Sequence, residues 1–160
     1  MISSLKTNKI EIPQNALFVQ TNKAFTWAAN DLFNFSAIKV RDIDGLSLAN
    51  RMEIVNIKSF AQLTANWDGY DAATVNPVAI EKAVSFIHEI NNFDIDVYLS
   101  SPGPNGEVMV QLKCNRHELE CIFYEDKSKY VLFNNNSFEN QGEYDPTILP
   151  DLLAWLNANE

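Results

Sequence analysis

Six consecutive residues, Asn66-Trp67-Asp68-Gly69-Tyr70-Asp71, constrain this chain more than any other stretch. They lie between two apolar-periodic segments and contain Asn66 and Gly69, residues that tolerate a positive φ, so a helix running into them must end there. A helix stop, a turn and two large aromatics are compressed into one corner. The corner fixes architecture rather than chemistry.

Upstream, from Leu46 to Ala65, Leu48, Met52, Val55, Ser59, Phe60 and Leu63 recur at steps of three and four with no Gly or Pro among them. That spacing predicts an amphipathic helix with these residues as its buried face. Downstream, Asn76 can cap exposed amides and Pro77 suits a first helical position, so a second helix is expected from there to about Asn91 or Asn92. Its stripe is Ile80, Ala83, Val84, Ile87 and Ile90, widened by Ala79 and Phe86. After Phe93 the period drops to two. Val97-Tyr98-Leu99, Glu107 to Cys114, Glu118 to Tyr124 and Tyr130 to Phe133 read as short strands of a meander, with Val108, Val110, Leu112 and Cys114 facing one way. Asn134 to Gly142 reads as a loop, and Leu152 to Leu156 as a short terminal helix whose start is bracketed by Pro146 and Pro150.

This order of elements predicts an α+β fold: two central helices and a short C-terminal helix packed on one face of an antiparallel sheet of about four or five strands. No repeat or linker divides the chain, so one domain is expected over residues 1–160. Its parts would be an irregular, strand-rich section (1–45), a helix-helix-sheet core (46–133) and the C-terminal helix (143–160). With 160 residues, 46% of them hydrophobic, such a chain can bury a self-sufficient core. Met1 to Gln20 contains no apolar run long enough for a signal-peptide core or a membrane span, which predicts a cytoplasmic protein.

The formal charge of -9 is lopsided. Residues 1–90 hold nine acidic against eight basic side chains, whereas residues 91–160 hold twelve against four, a net of -8. A field of that sign repels phosphate backbones and so disfavours direct nucleic-acid binding. It favours approach of a protein with a basic surface, mainly through the on-rate.

Candidate chemistry is sparse. Cys114 and Cys121 flank the Arg116 to Leu119 turn symmetrically and are expected to sit opposite each other on one sheet face, as buried thiols in a reducing compartment. With His117 they resemble three zinc ligands, but a fourth is missing. His88 and His117 are the only imidazoles available to activate a thiol, and no Gly-x-Ser-x-Gly elbow supports a serine nucleophile. Asp42 and Asp44 before Gly45 lack the rest of a calcium loop. Gly103 and Gly106 lie in a turn with two prolines that leads into a strand, unlike a phosphate cradle. Asp68 and Asp71 could hold a cation or act as acid and base, but an Asp near a turn more commonly accepts backbone N–H bonds. No catalytic residue, metal site or cofactor is assigned.

At Asn66-Trp67-Asp68-Gly69-Tyr70-Asp71-Ala72, followed by the Ile80 to Ile90 helix and by Asn105-Gly106 opening a strand at Glu107-Val108, the chain resembles a group of small, uncharacterised bacterial proteins. These share an Asn-Trp-Asp-Gly-aromatic motif ahead of a helix and an antiparallel sheet. The resemblance covers about residues 60 to 133. Asp71 departs from it by replacing a small residue, and Leu112 or Lys113 by standing where a strand Trp is usual. It implies a fold and a bacterial or phage origin, and no reaction. In physical terms Trp67 is expected to plug the junction between helices and sheet, and Gly69 to take a conformation that a Cβ would strain.

The functional expectation is a non-enzymatic acidic protein-binding module of the inhibitor, immunity or antitoxin type. Its expected contacts are Glu118, Glu120, Glu125, Asp126, Glu139 and Glu143, on wet strand faces and loops. The rival is a small-ligand binder or enzyme at Trp67, Asp68, Tyr70 and Asp71, with the aromatics walling a pocket. An Asp68 carboxylate free of backbone bonds would favour that rival. A third expectation makes Phe18, Phe25, Trp27, Phe33 and Phe35 either a partner surface or a completion of the core.

Overall fold

A computed structural model describes residues 45–158. The expectations for the strand-rich opening section, for its five aromatics and for Asp42 and Asp44 lie outside the described residues. Within them the fold is α+β, an antiparallel five-stranded sheet with three α-helices.

Helix α1 (Leu48–Ser59) starts where the Ser47 hydroxyl accepts the Asn50 amide at 3.1 Å, and it tightens into a 3-10 turn over Phe60–Gln62 before Leu63 turns extended. The face expected to be buried is largely the wrong one. Leu48, Met52 and Val55 are 59%, 50% and 64% exposed, while Asn50, Ile54 and Ile57 are buried and only Phe60 fulfils the expectation in full. The reason is a polar residue that counts against burial in any hydrophobic pattern. Asn50, with no exposed surface, donates to Ile95 O at 2.8 Å and to Asn91 Oδ1 at 3.3 Å, and accepts the Val97 amide at 2.9 Å. The Asn91 side chain meanwhile accepts the Ser47 amide and donates to Gly45 O, both at 3.0 Å. One satisfied polar node thus ties the start of α1 to the end of the second helix and to the segment leading into the sheet.

Helix α2 (Pro77–Asn91) follows its sequence signals: Asn76 Oδ1 accepts the Val78 amide at 2.8 Å and Pro77 occupies the first turn. Ala79, Ile80, Ala83, Phe86, Ile87 and Ile90 are buried.

The sheet is a meander in the order β1 (Leu99–Pro102), β2 (Val108–Cys114), β3 (His117–Phe123), β4 (Ser128–Asn134) and β5 (Ser137–Glu143). Strand β5 falls where a loop is expected. As an edge strand with nearly every residue exposed it needs no apolar alternation, and Phe138 is its one large apolar residue. Its hairpin is set by Asn135 and Asn136, both at positive φ (50° and 61°), as a two-residue turn that matches strand twist requires.

Across β2 and β3 the directly opposite pairs Val108–Phe123, Val110–Cys121 and Leu112–Leu119 are all buried. They join Ile57, Ile87 and Leu153 in a shared hydrophobic core. The chain closes with a 3-10 turn (Pro146–Ile148) and α3 (Leu149–Leu156), in which Pro150 lies in the first turn, where no intrahelical N–H is missed. Leu149, Leu152, Leu153 and Leu156 are buried. Among the described residues no helix is long and apolar enough to cross a membrane.

Candidate functional site

The aromatic corner is closed on itself. Asp68 Oδ1 accepts the amides of Tyr70 at 2.8 Å and Ala72 at 3.1 Å, and Asn66 Oδ1 accepts that of Asp71 at 2.8 Å. Asn66, Gly69 and Asp71 all take positive φ, at 63°, 77° and 71°, and no atom lies within 4 Å of where a Gly69 Cβ would stand. Conformation rather than space is what demands glycine there. Two backbone bonds, Ala73 N to Pro104 O and Asn76 N to Gly106 O, both 2.8 Å, strap the corner to the β1–β2 turn. Trp67 does not plug the core as expected. It is half-buried, stands outside the hydrophobic core, and braces its own loop by donating Nε1–H to Ala73 O at 3.1 Å. Tyr70 is 90% exposed, and none of Trp67, Asp68, Tyr70 or Asp71 lines either of the two main cavities.

The six candidate carboxylates are dispersed. Glu118 and Glu120 are half-buried on β3, on the side opposite Leu119 and Cys121. Glu118 pairs with Lys113 and accepts Gln111 Nε2 at 2.8 Å. That contact raises the Lys113 ammonium above its ordinary range. Glu120 is pushed up, first by burial and then by Glu118 beside it. Glu125 and Asp126 stand at the β3–β4 turn, Glu143 is in register with Lys129, and Glu139 accepts the Trp155 indole N–H at 3.0 Å. The turn is not a bare acidic patch, because Lys127 and Lys129 lie 5.7 and 5.8 Å from the Tyr124 ring centre.

The two cysteines are not opposite each other. The turn is made by Asn115 and Arg116, so Cys114 is in register with His117 and Cys121 with Val110. Both are free thiols, and burial pushes that of Cys121 up, away from a reactive thiolate. His117 is buried under the Trp155 ring, with centroids 4.6 Å apart. No group of three or more His, Cys, Asp or Glu among the described residues is arranged to hold a metal ion.

Two cavities flank the β3–β4 turn. The smaller, about 220 Å³, is polar and includes Asn76, Glu107, Tyr124, Glu125 and Asp126 in its lining. Glu107 is buried there and accepts the Asn105 amide at 2.9 Å, and Asn76 Nδ2 donates to Glu125 at 3.0 Å. The larger, about 360 Å³, lies between α2, the end of β3 and Tyr144. Phe86, Phe123 and Tyr144 form its aromatic floor, with ring centroids 5.4 to 5.9 Å apart. Glu81, Ser85 and Glu89 border it at four-residue steps along α2, and the Tyr144 hydroxyl donates to Glu89 at 3.1 Å. Burial foremost, then Glu89, pushes the Tyr144 hydroxyl up, so it remains a donor. Lys82 also lines this cavity, and its ammonium donates to Tyr124 O and Glu125 O, each at 2.9 Å.

Sequence reasoning missed this second cavity. Its one available signal was the polar spacing of Glu81, Ser85 and Glu89 beside the apolar stripe of α2. No family model matches the chain, and neither does a curated protein or a solved structure.

Proposed function

We propose that this chain is a non-enzymatic, acidic protein-binding module of the inhibitor, immunity or antitoxin type, which docks a basic surface of a partner protein. The observation that carries the reading is the state of four carboxylates. Glu125, Asp126, Glu139 and Glu143 are exposed and, among the described residues, in no ion pair. Charges left in that state at a rim accelerate encounter with an oppositely charged surface more than they add affinity. Glu120, on the same strand face as the Lys113-paired Glu118, adds to the same field and would be relieved by an approaching cation. The resemblance at Asn66–Ala72 adds a bacterial or phage setting and no reaction.

The rival reading, a ligand or catalytic corner at Trp67, Asp68, Tyr70 and Asp71, loses its main support because the Asp68 carboxylate is occupied by the amides of Tyr70 and Ala72. The test is affinity capture by the wild type and by a variant carrying Glu125→Gln, Asp126→Asn, Glu139→Gln and Glu143→Gln. At low salt the wild type should retain a basic protein that the variant loses. Salt of about 0.5 M, which shortens screening to a few Å, should release it. Capture indifferent both to salt and to neutralisation contradicts the reading.

A further inference from the structure

The larger of the two cavities brings together aromatic side chains, the carboxylates of Glu81 and Glu89 at its edge, and a lysine, Lys82, whose ammonium is hydrogen-bonded to the carbonyls of Tyr124 and Glu125. Glu89 is half-buried beside Phe86 and Tyr144, and its carboxylate accepts a hydrogen bond from the Tyr144 hydroxyl. A carboxylate held against apolar surface gains more from a cation than one in bulk water does, because the medium screens the pair less. Lys82 lines the same cavity, but its ammonium donates to the carbonyls of Tyr124 and Glu125 and, among the described residues, forms no ion pair with Glu89.

The volume, about 360 Å³, sits at the lower end of the roughly 300–1,000 Å³ of ligand pockets and suits one long side chain. Phe86 and Phe123 are buried, so the Tyr144 ring, which is half-buried, is the one that can offer a face, and it favours a flat cation over a compact one. A guanidinium can lie on an aromatic face while its fork of N–H groups reaches a carboxylate, whereas a strongly hydrated ammonium loses more water on entry. The aliphatic stem of such a side chain would pass over Val78 and Pro146, which line the same cavity.

We propose that this cavity is an anchor for an arginine side chain of the basic partner, with Glu89 receiving the guanidinium and Tyr144 orienting the carboxylate. The inference rests on the acidic-module reading and deepens it by naming the chemistry of one contact. It adds what the dispersed surface charges lack, a concave place where one residue can be desolvated and so carry a large share of the binding energy.

The test uses the full chain and four small probes: capped arginine, capped lysine, capped citrulline and capped norleucine, each titrated while NMR follows the Tyr144 ring and the amides of Ser85, Glu89 and Ser128. Capped arginine should shift these signals together and saturate, with lysine weaker. Citrulline, similar in shape but uncharged, should be weaker by about tenfold, the loss expected when a charged hydrogen bond becomes neutral. Glu89→Gln should weaken arginine by a similar factor, and Tyr144→Phe by less, with an unchanged amide spectrum elsewhere showing that each variant is folded. Shifts at Glu107, Glu125 and Asp126 in place of Ser85 and Glu89 would overturn the pocket assignment while leaving the acidic-module reading intact. Equal response to citrulline or norleucine, or saturation unaffected by Glu89→Gln, would overturn it as well. Loss of partner capture on neutralising the surface carboxylates is read independently of these titrations.

Discussion

Replacing Asn50 by alanine is the sharpest test of how the helices are locked. The substitution removes the acceptor of the Val97 amide (2.9 Å) and the donor to Ile95 O (2.8 Å), while Asn91 keeps its bonds to Ser47 and Gly45. Two backbone groups are left without partners at a residue with no exposed surface. At about 1–3 kcal/mol for each buried polar group orphaned, the expected loss is about 2–6 kcal/mol. That is a large fraction of the roughly 5–15 kcal/mol that stabilises a domain of ordinary size. Urea unfolding followed by tryptophan fluorescence and circular dichroism measures it, provided the slope with denaturant is unchanged. Met52→Ala is the control, because Met52 is 50% exposed and its truncation should stay within about 0.5 kcal/mol. The two variants also decide which face of α1 is inside. If Met52→Ala costs as much as Asn50→Ala, or if Asn50→Ala costs under about 1 kcal/mol, the polar node is not the lock and water satisfies Val97 and Ile95.

Further outcomes follow from local geometry. Gly69→Ala meets no atom and should cost about 1–2 kcal/mol from its positive φ alone, whereas Gly106→Ala adds a clash with Thr74 O, 2.8 Å from its Cβ, and should lower the melting temperature further. Equal melting temperatures would refute this. Iodoacetamide should label Cys114 well before Cys121, whose thiol is fully buried, and mass spectrometry showing equal rates in the folded protein would contradict the burial argument. The Thr147 hydroxyl and amide hold the Asp145 carboxyl below its ordinary range. The stabilisation from this cap is therefore present above the unfolded carboxylate value and is lost as pH falls through the lower folded one, which the Thr147 amide shift should track. A Thr147 shift that moves at or above the unfolded value would show that the cap does not hold.

What the sequence discloses, and what it hides, divides along physical lines. Helix α2 is legible because Asn76, Pro77 and a wide apolar stripe all act locally, and β2 is legible because apolar Val108, Val110 and Leu112 alternate with Gln111 and Lys113 on its other face. Helix α1 is legible as a helix but not in its orientation, since a polar residue, Asn50, is as fully buried as Ile57 while Leu48, Met52 and Val55 are exposed. Strand β5 is hidden because an edge strand is held by backbone bonds to β4, which leave no mark on side-chain pattern. The placement of Cys114 opposite His117 depends on a two-residue turn, and an error of one residue there changes every cross-strand pair.

The candidate site was less accessible still. The Trp67 corner announces a turn, and it is one, but residue order alone does not fix that the Asp68 and Asn66 side chains turn back onto the corner's own amides. The large cavity draws on α2, on the end of β3 and on Tyr144, segments that only the fold brings together.

One comparison bears most directly on the claim that recognition belongs to the acidic surface and not to the corner. Tyr70 is 90% exposed, so Tyr70→Ala alters the corner without disturbing the core. Capture of a basic protein by Tyr70→Ala should equal that of the wild type, while the four-carboxylate variant should lose it. Retention by the carboxylate variant together with loss in Tyr70→Ala would contradict the account.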